Sequence, residues 1–481
     1  MRRNVVVAGI LSLAASAAVL VYQGVARQQQ YHRFISQGDA RLAADQTFQA
    51  IEAFTSAIAL KSDSMLAHLK RGDAYRRSGQ LEQASRDLRT AVRLDPTATK
   101  PLEELGDVNY ALFYDDRAAE SYEAYIRLDE RSARVQYKLA LTQYRQGDTR
   151  AAIGPLNQAL RIDDRFAEAY YLLGLCLRAQ HRDEEALVQL ERALQISPGF
   201  SVCREELADL YAALARPHEE IRHLQTLAYL DPGRPERHIA VGLAYARAGR
   251  SDLAVTTLSE IAAQYPGQPR IFTALGRVWL DTAEKRGDRV ALSKAVEALQ
   301  TLAARPSPDG EALALYGRAL LLSGRADEAE RVLRDASGKL PIEPDTWLRL
   351  AHASQRVGHF GPARDALIAF CKLAPADADL TEAETMIADL SVRLEEAPTA
   401  IAWLQHALES HPRDPSLLAR LADAQARTGE LGAARATVDR ALGNDATDPT
   451  LLALKRRLSR PLGVAPADLD QARRGVRRPG S

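Results

Sequence analysis

The apolar residues of this chain keep two periods at once. Within short windows they fall three or four residues apart, the spacing that gathers side chains onto one stripe of a helix. Over longer windows the whole pattern returns every 34 residues. Residues 167–200 show one period in full: AEAYYLLGLCLRAQHRDEEALVQLERALQISPGF. Counting Ala167 as position 1, large residues stand at positions 4, 7, 11 and 24, and small ones, Gly174 and Ala186, at 8 and 20. Pro198 falls at position 32, where a missing N–H and a ring clash stop a helix. The pattern predicts two antiparallel helices per period, touching through the small positions. A larger side chain there would push the two axes apart.

The period recurs twelve times, with starts near residues 31, 65, 99, 133, 167, 201, 235, 269, 310, 344, 381 and 415. Position 8 is Gly or Ala in all twelve copies, from Gly38 to Ala422. Position 20 is alanine in eleven, from Ala50 to Ala434, and Glu220 in the sixth. Position 32 is proline in seven: Pro96, Pro198, Pro232, Pro266, Pro341, Pro375 and Pro412. Six copies carry glycine at position 15, in the turn between helices: Gly79, Gly147, Gly249, Gly324, Gly358 and Gly429. This arrangement resembles the tetratricopeptide repeat (TPR). The resemblance implies an all-α fold: an α-solenoid of about twelve hairpins wound into a right-handed superhelix, with first helices lining a concave groove. A single hairpin cannot bury its own stripe, so neighbours must stack.

The rest of the chain is appended to this array. Residues 1–30 lie outside the repeats. After Arg2 and Arg3 no charge appears until Arg27, and Val5–Val21 is almost wholly apolar, long enough for one membrane-spanning helix. Two readings stand: a retained signal anchor, or a signal peptide cleaved near Gly24 and Ala26. Both place the repeats (31–448) outside the cytoplasm, at the inner membrane or free in the periplasm. Repeat eight is seven residues longer than the others, which predicts helices extended by about a turn and a protruding tip near Glu284–Arg289. The tip is either a tolerated insertion or a docking knob. Three extra residues, Ala378–Leu380, precede repeat eleven. Residues 449–460 read as a capping helix, apolar at Leu451, Leu452 and Leu454 and then basic. Residues 461–481 form a basic tail rich in Pro, Gly and Arg, either a bare solvated end or a contact for anionic lipid or an acidic partner.

Charge and chemistry narrow the function. Lys plus Arg number 63 and Asp plus Glu 63, so no net field draws nucleic acid to the body of the protein. The three cysteines, Cys176, Cys203 and Cys371, sit within helix patterns and read as small buried thiols, with a Cys176–Cys203 disulfide as the other option. His218 and His223 are five residues apart, not the four that would put two ligands on one helix face. No phosphate-binding loop or nucleophile elbow occurs. The sequence therefore predicts no catalytic, cofactor or metal site. Asp73 with Arg77, Asp389 with Arg393 and Asp423 with Arg427 read as i,i+4 pairs on solvated faces.

The groove has one uneven feature. In the family, positions 2, 5, 9, 12 and 13 face the concave side. That map places Tyr110, Tyr137, Tyr144 and Tyr171 in the groove of repeats three to five, with Arg145 and Arg178 beside them. Tyrosine and arginine suit a binding surface, and tyrosine faces also suit sugar rings. The alternative is that these rings only pack on neighbouring helices. Position 9 is often acidic (Asp39, Asp73, Asp107), and no repeat has the Lys and Asn pair with which chaperone-binding relatives hold a peptide carboxylate. The expected function is a non-catalytic scaffold for protein partners in a bacterial envelope or secretion assembly. The alternative is a periplasmic glycan-binding component of polysaccharide export.

Overall fold

The computed structural model describes residues 2–339, 343–375, 378–444 and 449–459, with side chains from residue 21 onward apart from that of Asn444. It contains 25 helices, and no strand occurs among the described residues. The chain divides into two compact units, Met1–Leu230 and Asp231–Ser481.

The first unit holds α1 (Arg2–Ala43), α2 (Thr47–Leu60), α3 (Met65–Arg77), α4 (Leu81–Leu94), α5 (Thr99–Ala111), α6 (Asp115–Leu128), α7 (Ala133–Arg145), α8 (Thr149–Ile162), α9 (Ala167–Arg178), α10 (Asp183–Ile196), α11 (Ser201–Ala213) and α12 (Pro217–Leu230). The second holds α13 (Pro235–Arg247), α14 (Ser251–Gln264), α15 (Pro269–Arg286), α16 (Arg289–Ala303), α17 (Gly310–Leu322), α18 (Ala326–Ser337), α19 (Pro344–Val357), α20 (Phe360–Leu373), α21 (Thr381–Arg393), α22 (Ala397–Ser410), α23 (Pro415–Arg427), α24 (Leu431–Asn444) and α25 (Pro449–Ser459). Odd and even helices pair as the first and second helix of each repeat, and within each unit every second helix also packs on the next first helix.

The small positions work as the pattern requires. All eleven position-20 alanines are fully buried. At position 8 the first helix lies so close to the second that a Cβ added at Gly174 would stand 2.6 Å from Leu190 Cγ. The same approach recurs at Gly242 against Leu258. The position-24 side chain thus fills the space that glycine leaves. Repeat six breaks the rule. Glu220 takes the alanine slot and is buried, Leu224 at position 24 is only half-buried, and His223 beside it is buried instead.

The helix ends have local causes. Six of the seven position-32 prolines follow a second helix that stops two residues earlier, as at Leu94 before Pro96; Pro341 lies outside the described residues. Proline also opens α13, α15, α19 and α23, where the missing N–H costs nothing. The turn between helices needs a left-handed residue in every repeat. The six position-15 glycines supply it, and Gly287 does so in the longer repeat eight. In the other five repeats the same place is taken by Asp45, Phe113, His181, Ala215 and Glu395, all at positive φ, which the count of glycines alone did not reveal.

Repeat eight is extended at its turn. Its first helix, α15, has 18 residues where neighbouring first helices have 13, and α16 starts six residues before Ala295 rather than the usual three. At the other end of the array, α25 buries Leu451, Leu454 and Leu458 against the last repeat, whereas Leu452 stays partly exposed. At the N-terminus α1 runs without a break through residue 31, so the first helix of repeat one continues the preceding segment. From Val21 to Gln30 that helix is exposed almost all round, including Val21, Tyr22 and Val25. The apolar run Val5–Val21 lies almost entirely outside the described side chains, and among the described residues no helix is long and apolar enough to cross a membrane. The basic tail, residues 461–481, also lies outside the described residues.

Candidate interaction site

The first helices of repeats three to five, α5, α7 and α9, carry the tyrosine row. Tyr110, Tyr137, Tyr144 and Tyr171 are all half-buried, so each ring is part packing and part surface. Tyr137 meets Phe166 at 4.9 Å between centroids, and Tyr171 meets Phe200 at 5.0 Å. Both phenylalanines stand in the loop just before the next first helix. Each therefore packs against a tyrosine of the repeat that it ends. Burial raises the phenol pKa of Tyr137 and Tyr144, and burial with the nearby Glu206 charge pushes Tyr171 up to about 12. All three stay protonated donors at neutral pH.

The arginines are committed to structure. The Arg145 guanidinium lies 3.4 Å from the Tyr110 ring centroid and 4.9 Å from that of Phe113. It also donates to the Tyr110 carbonyl at 2.6 Å and, through Nε at 2.8 Å, to Asp115 Oδ1. One side chain thus ties repeat four to repeat three by three kinds of contact. Arg356 repeats part of this, donating to the Leu321 carbonyl at 3.1 Å from the same position of repeat ten. Arg178 pairs with Glu206 of the following repeat.

Between Tyr110 and Tyr137 lies a cleft of about 450 Å³, lined also by Asp107, Lys138, Leu141 and Phe166; Tyr144 and Tyr171 do not line it. Its charges cancel internally. Lys138 Nζ is 2.9 Å from Glu103 and 2.7 Å from Asp107, and Arg134 reaches Glu103 at 2.8 Å. Burial works against ionisation of Glu103, but the Lys138 hydrogen bond and the Lys138, Arg134 and Lys100 charges hold its carboxyl below the usual range. Tyr122, buried on the second helix α6, donates to Asp107 at 2.8 Å from behind. The cleft is an aromatic slot with a neutralised ionic floor, and nothing in it has the geometry of a nucleophile with its base.

The acidic position 9 has a use that the sequence did not disclose. Asp39 accepts from Lys70 at 2.6 Å, Asp107 from Lys138, and Asp389 from Arg420. In each case the base sits at position 6 of the next repeat. Asp389 therefore pairs across a repeat junction and not with Arg393, whose guanidinium lies over the Phe360 ring at 5.2 Å. Asp73–Arg77 and Asp423–Arg427 do form within their helices. The remaining candidates for chemistry are scattered. Cys176 and Cys203 are buried free thiols, with no disulfide between them, and Cys371 is only half-buried, against expectation. His218 is exposed and His223 buried, so the two do not converge. Among the described residues no cluster of His, Cys, Asp and Glu is placed to hold a metal ion.

Fold and site together define a class: an array of helical hairpins that presents side chains from its first helices. The family follows from the repeat itself. Models described as tetratricopeptide repeat match residues 116–165, 137–199 and 292–341, another so described matches 392–458, a further one 241–267, and a model described as TPR repeat matches 72–112. The chain is built of tetratricopeptide repeats, which are generally non-catalytic scaffolds for protein–protein interaction. No curated protein matches the chain. Among solved structures, the MamA protein is 23% identical over 36% of this chain and 93% of its own, with a TM-score of 0.35. The C-terminal part of a TPR repeat-containing protein from Cytophaga hutchinsonii is 18% identical over 50% of this chain and 98% of its own, with a TM-score of 0.45. YrrB, described as a TPR protein with an unusual peptide-binding site, is 21% identical over 38% of this chain and 94% of its own, with a TM-score of 0.35.

Proposed function

We propose that this protein is an anchored or exported scaffold that gathers protein partners of a bacterial envelope or secretion assembly, using the tyrosine row of repeats three to five. The observation that carries the reading is the aromatic cleft between α5, α7 and α9. All four tyrosines stand half-exposed on first helices, and Tyr110 and Tyr137 line the cleft directly. Aromatic rings with a polar edge give large contact area at low ordering cost. The internal neutralisation of Glu103 and Asp107 by Lys138 and Arg134 keeps the cleft from demanding a charged partner. Phe166 and Phe200 lie tilted against Tyr137 and Tyr171, at 47° and 53°, and crowd the flat ring faces on which a sugar would lie, so protein is favoured over glycan. The envelope setting rests on the sequence alone, on the uncharged run that follows Arg2 and Arg3.

The test is a photo-crosslinking residue at Leu141, inside the cleft, with a control at Arg150, which is exposed on α8. The reading expects a discrete protein adduct from Leu141 alone. Equal labelling from both positions, or capture of oligosaccharide in place of protein, overturns it. N-terminal sequencing of the mature protein and membrane fractionation test the setting. A soluble chain retaining residues 1–30 in the cytoplasm would defeat the anchored or exported reading.

A further inference from the structure

We propose that the C-terminal end of the array holds a second binding site, built for an acidic polypeptide segment carrying aliphatic side chains. The site is a cleft of about 620 Å³ between α21, α23 and α25. Its floor is apolar and aliphatic, with Val392, Leu404 and Leu454 among the residues that line it. Around it stand four arginines, Arg393, Arg420, Arg427 and Arg457, against two carboxylates, Asp389 and Asp423. Arg420 uses Asp389, while Arg427 and Arg457 share Asp423. Burial acts against ionisation of Asp423, but these two arginines hold its carboxyl below the usual range, and each of its oxygens already accepts from one of them. Arg393 is exposed, lies over the Phe360 ring, and makes no ion pair among the described residues. Two positive charges therefore remain uncompensated over an apolar floor. This differs from the tyrosine cleft, where the charges balance.

The shape and the chemistry select the occupant. Arginine forks match carboxylates in pairs of hydrogen bonds. The aliphatic floor asks for Leu-, Ile- or Val-like side chains between those carboxylates. No aromatic residue lines the cleft, so bases have no platform on which to stack. A lipid surface cannot enter a concave slot, and three of the four leucines of α25, Leu451, Leu454 and Leu458, are buried, which leaves Leu452 alone to offer it. The chain's own tail is net basic, with four arginines against Asp468 and Asp470; a synthetic peptide of residues 461–472 that displaces the selected peptide would make the short Asp468-Leu469-Asp470 stretch the occupant and overturn a separate partner. The site lies in the other unit from the tyrosine row, so either proposal can fail alone.

A phage-displayed library of random dodecapeptides, selected on the full-length protein, provides the probe. Selected sequences are expected to be enriched in Asp and Glu interleaved with aliphatic residues. A synthetic copy should bind the double variant Arg393→Ala/Arg427→Ala at least tenfold more weakly and lose affinity as salt rises. The single variant Arg393→Ala, which breaks no ion pair, should keep the melting temperature and still weaken binding. Arg331→Ala, exposed on α18, is the control and should change nothing. No enrichment, enrichment of neutral or basic peptides, or unchanged affinity in both arginine variants overturns the proposal. Binding of phosphatidylglycerol vesicles or an oligonucleotide that competes with the peptide and is lost in the same variants overturns it too, by making the site a general anion surface.

Discussion

A single methyl group is enough to test the contact on which each repeat depends. At Gly174, alanine gains about 1 kcal/mol in helix propensity, but its Cβ would stand 2.6 Å from Leu190 Cγ. Overpacking of that kind costs about 1–3 kcal/mol. Chemical denaturation of Gly174→Ala should therefore show a net loss of roughly 1 kcal/mol, with any gain in stability ruling out the close approach. His223 offers a residue-level test by pH. It is buried in α12, stacked on Tyr211 at 5.5 Å, and neither ring nitrogen has a hydrogen-bond partner among the described residues. Burial, joined by the Arg222 and Arg204 charges and opposed by Glu191 and Glu219, lowers its pKa from 6.5 to about 4. The unfolded chain takes up this proton first. The stability contributed is full above pH 6.5 and declines as pH falls from 6.5 to about 4. Urea melts at pH 7.5 and 4.5 should show His223→Phe losing less stability on acidification than the parent; equal losses would acquit the histidine.

At the scale of the element, hairpins differ in what ends them. Most repeats are closed by the next one, but repeat twelve has only α25. Its buried leucines each stabilise by about 2 kcal/mol when removed from water. A chain ending at Asn444 would leave Ala422, Val438 and their neighbours facing solvent. Such a truncation should bind hydrophobic dye and self-associate in size-exclusion chromatography. A monomeric, dye-silent truncation would show that the last repeat caps itself. The hairpin of repeat eight is a different case. The extra residues lie at the turn, so both helices lengthen there, and Arg318 of α17 holds the extended end of α15 through Glu284 and Asp281.

Across the whole molecule, what the sequence disclosed was what depends on size. Small residues at positions 8 and 20 have to recur because two backbones approach there, so the hairpins and their order were legible. Interactions between repeats were not. Lys70 and Asp39 are 31 residues apart, and nothing short-range marks them as partners. The same blindness paired Asp389 with Arg393 when its partner is Arg420, and let Arg145 pass as a free binding residue when it is pinned by Tyr110, Phe113 and Asp115. Pro and Gly signals located the turns, but a left-handed Phe113 or His181 carries no such mark, because its residue type ordinarily avoids that backbone.

The unbroken course of α1 carries a mechanical consequence. Ten residues separate Val21 from Tyr31, about 15 Å of helix at 1.5 Å per residue. A helix transmits rotation as well as distance, so whatever grips the chain ahead of Val21 also sets the compass bearing of the first repeat. One residue inserted among residues 22–30 would swing that bearing by about 100° while lengthening the shaft by little more than an ångström. Two would swing it by about 200°, and seven would nearly restore it. If bearing matters in the cell, function should fail with one or two added alanines and return with seven. A smooth decline with length would instead mean that the shaft is only a tether.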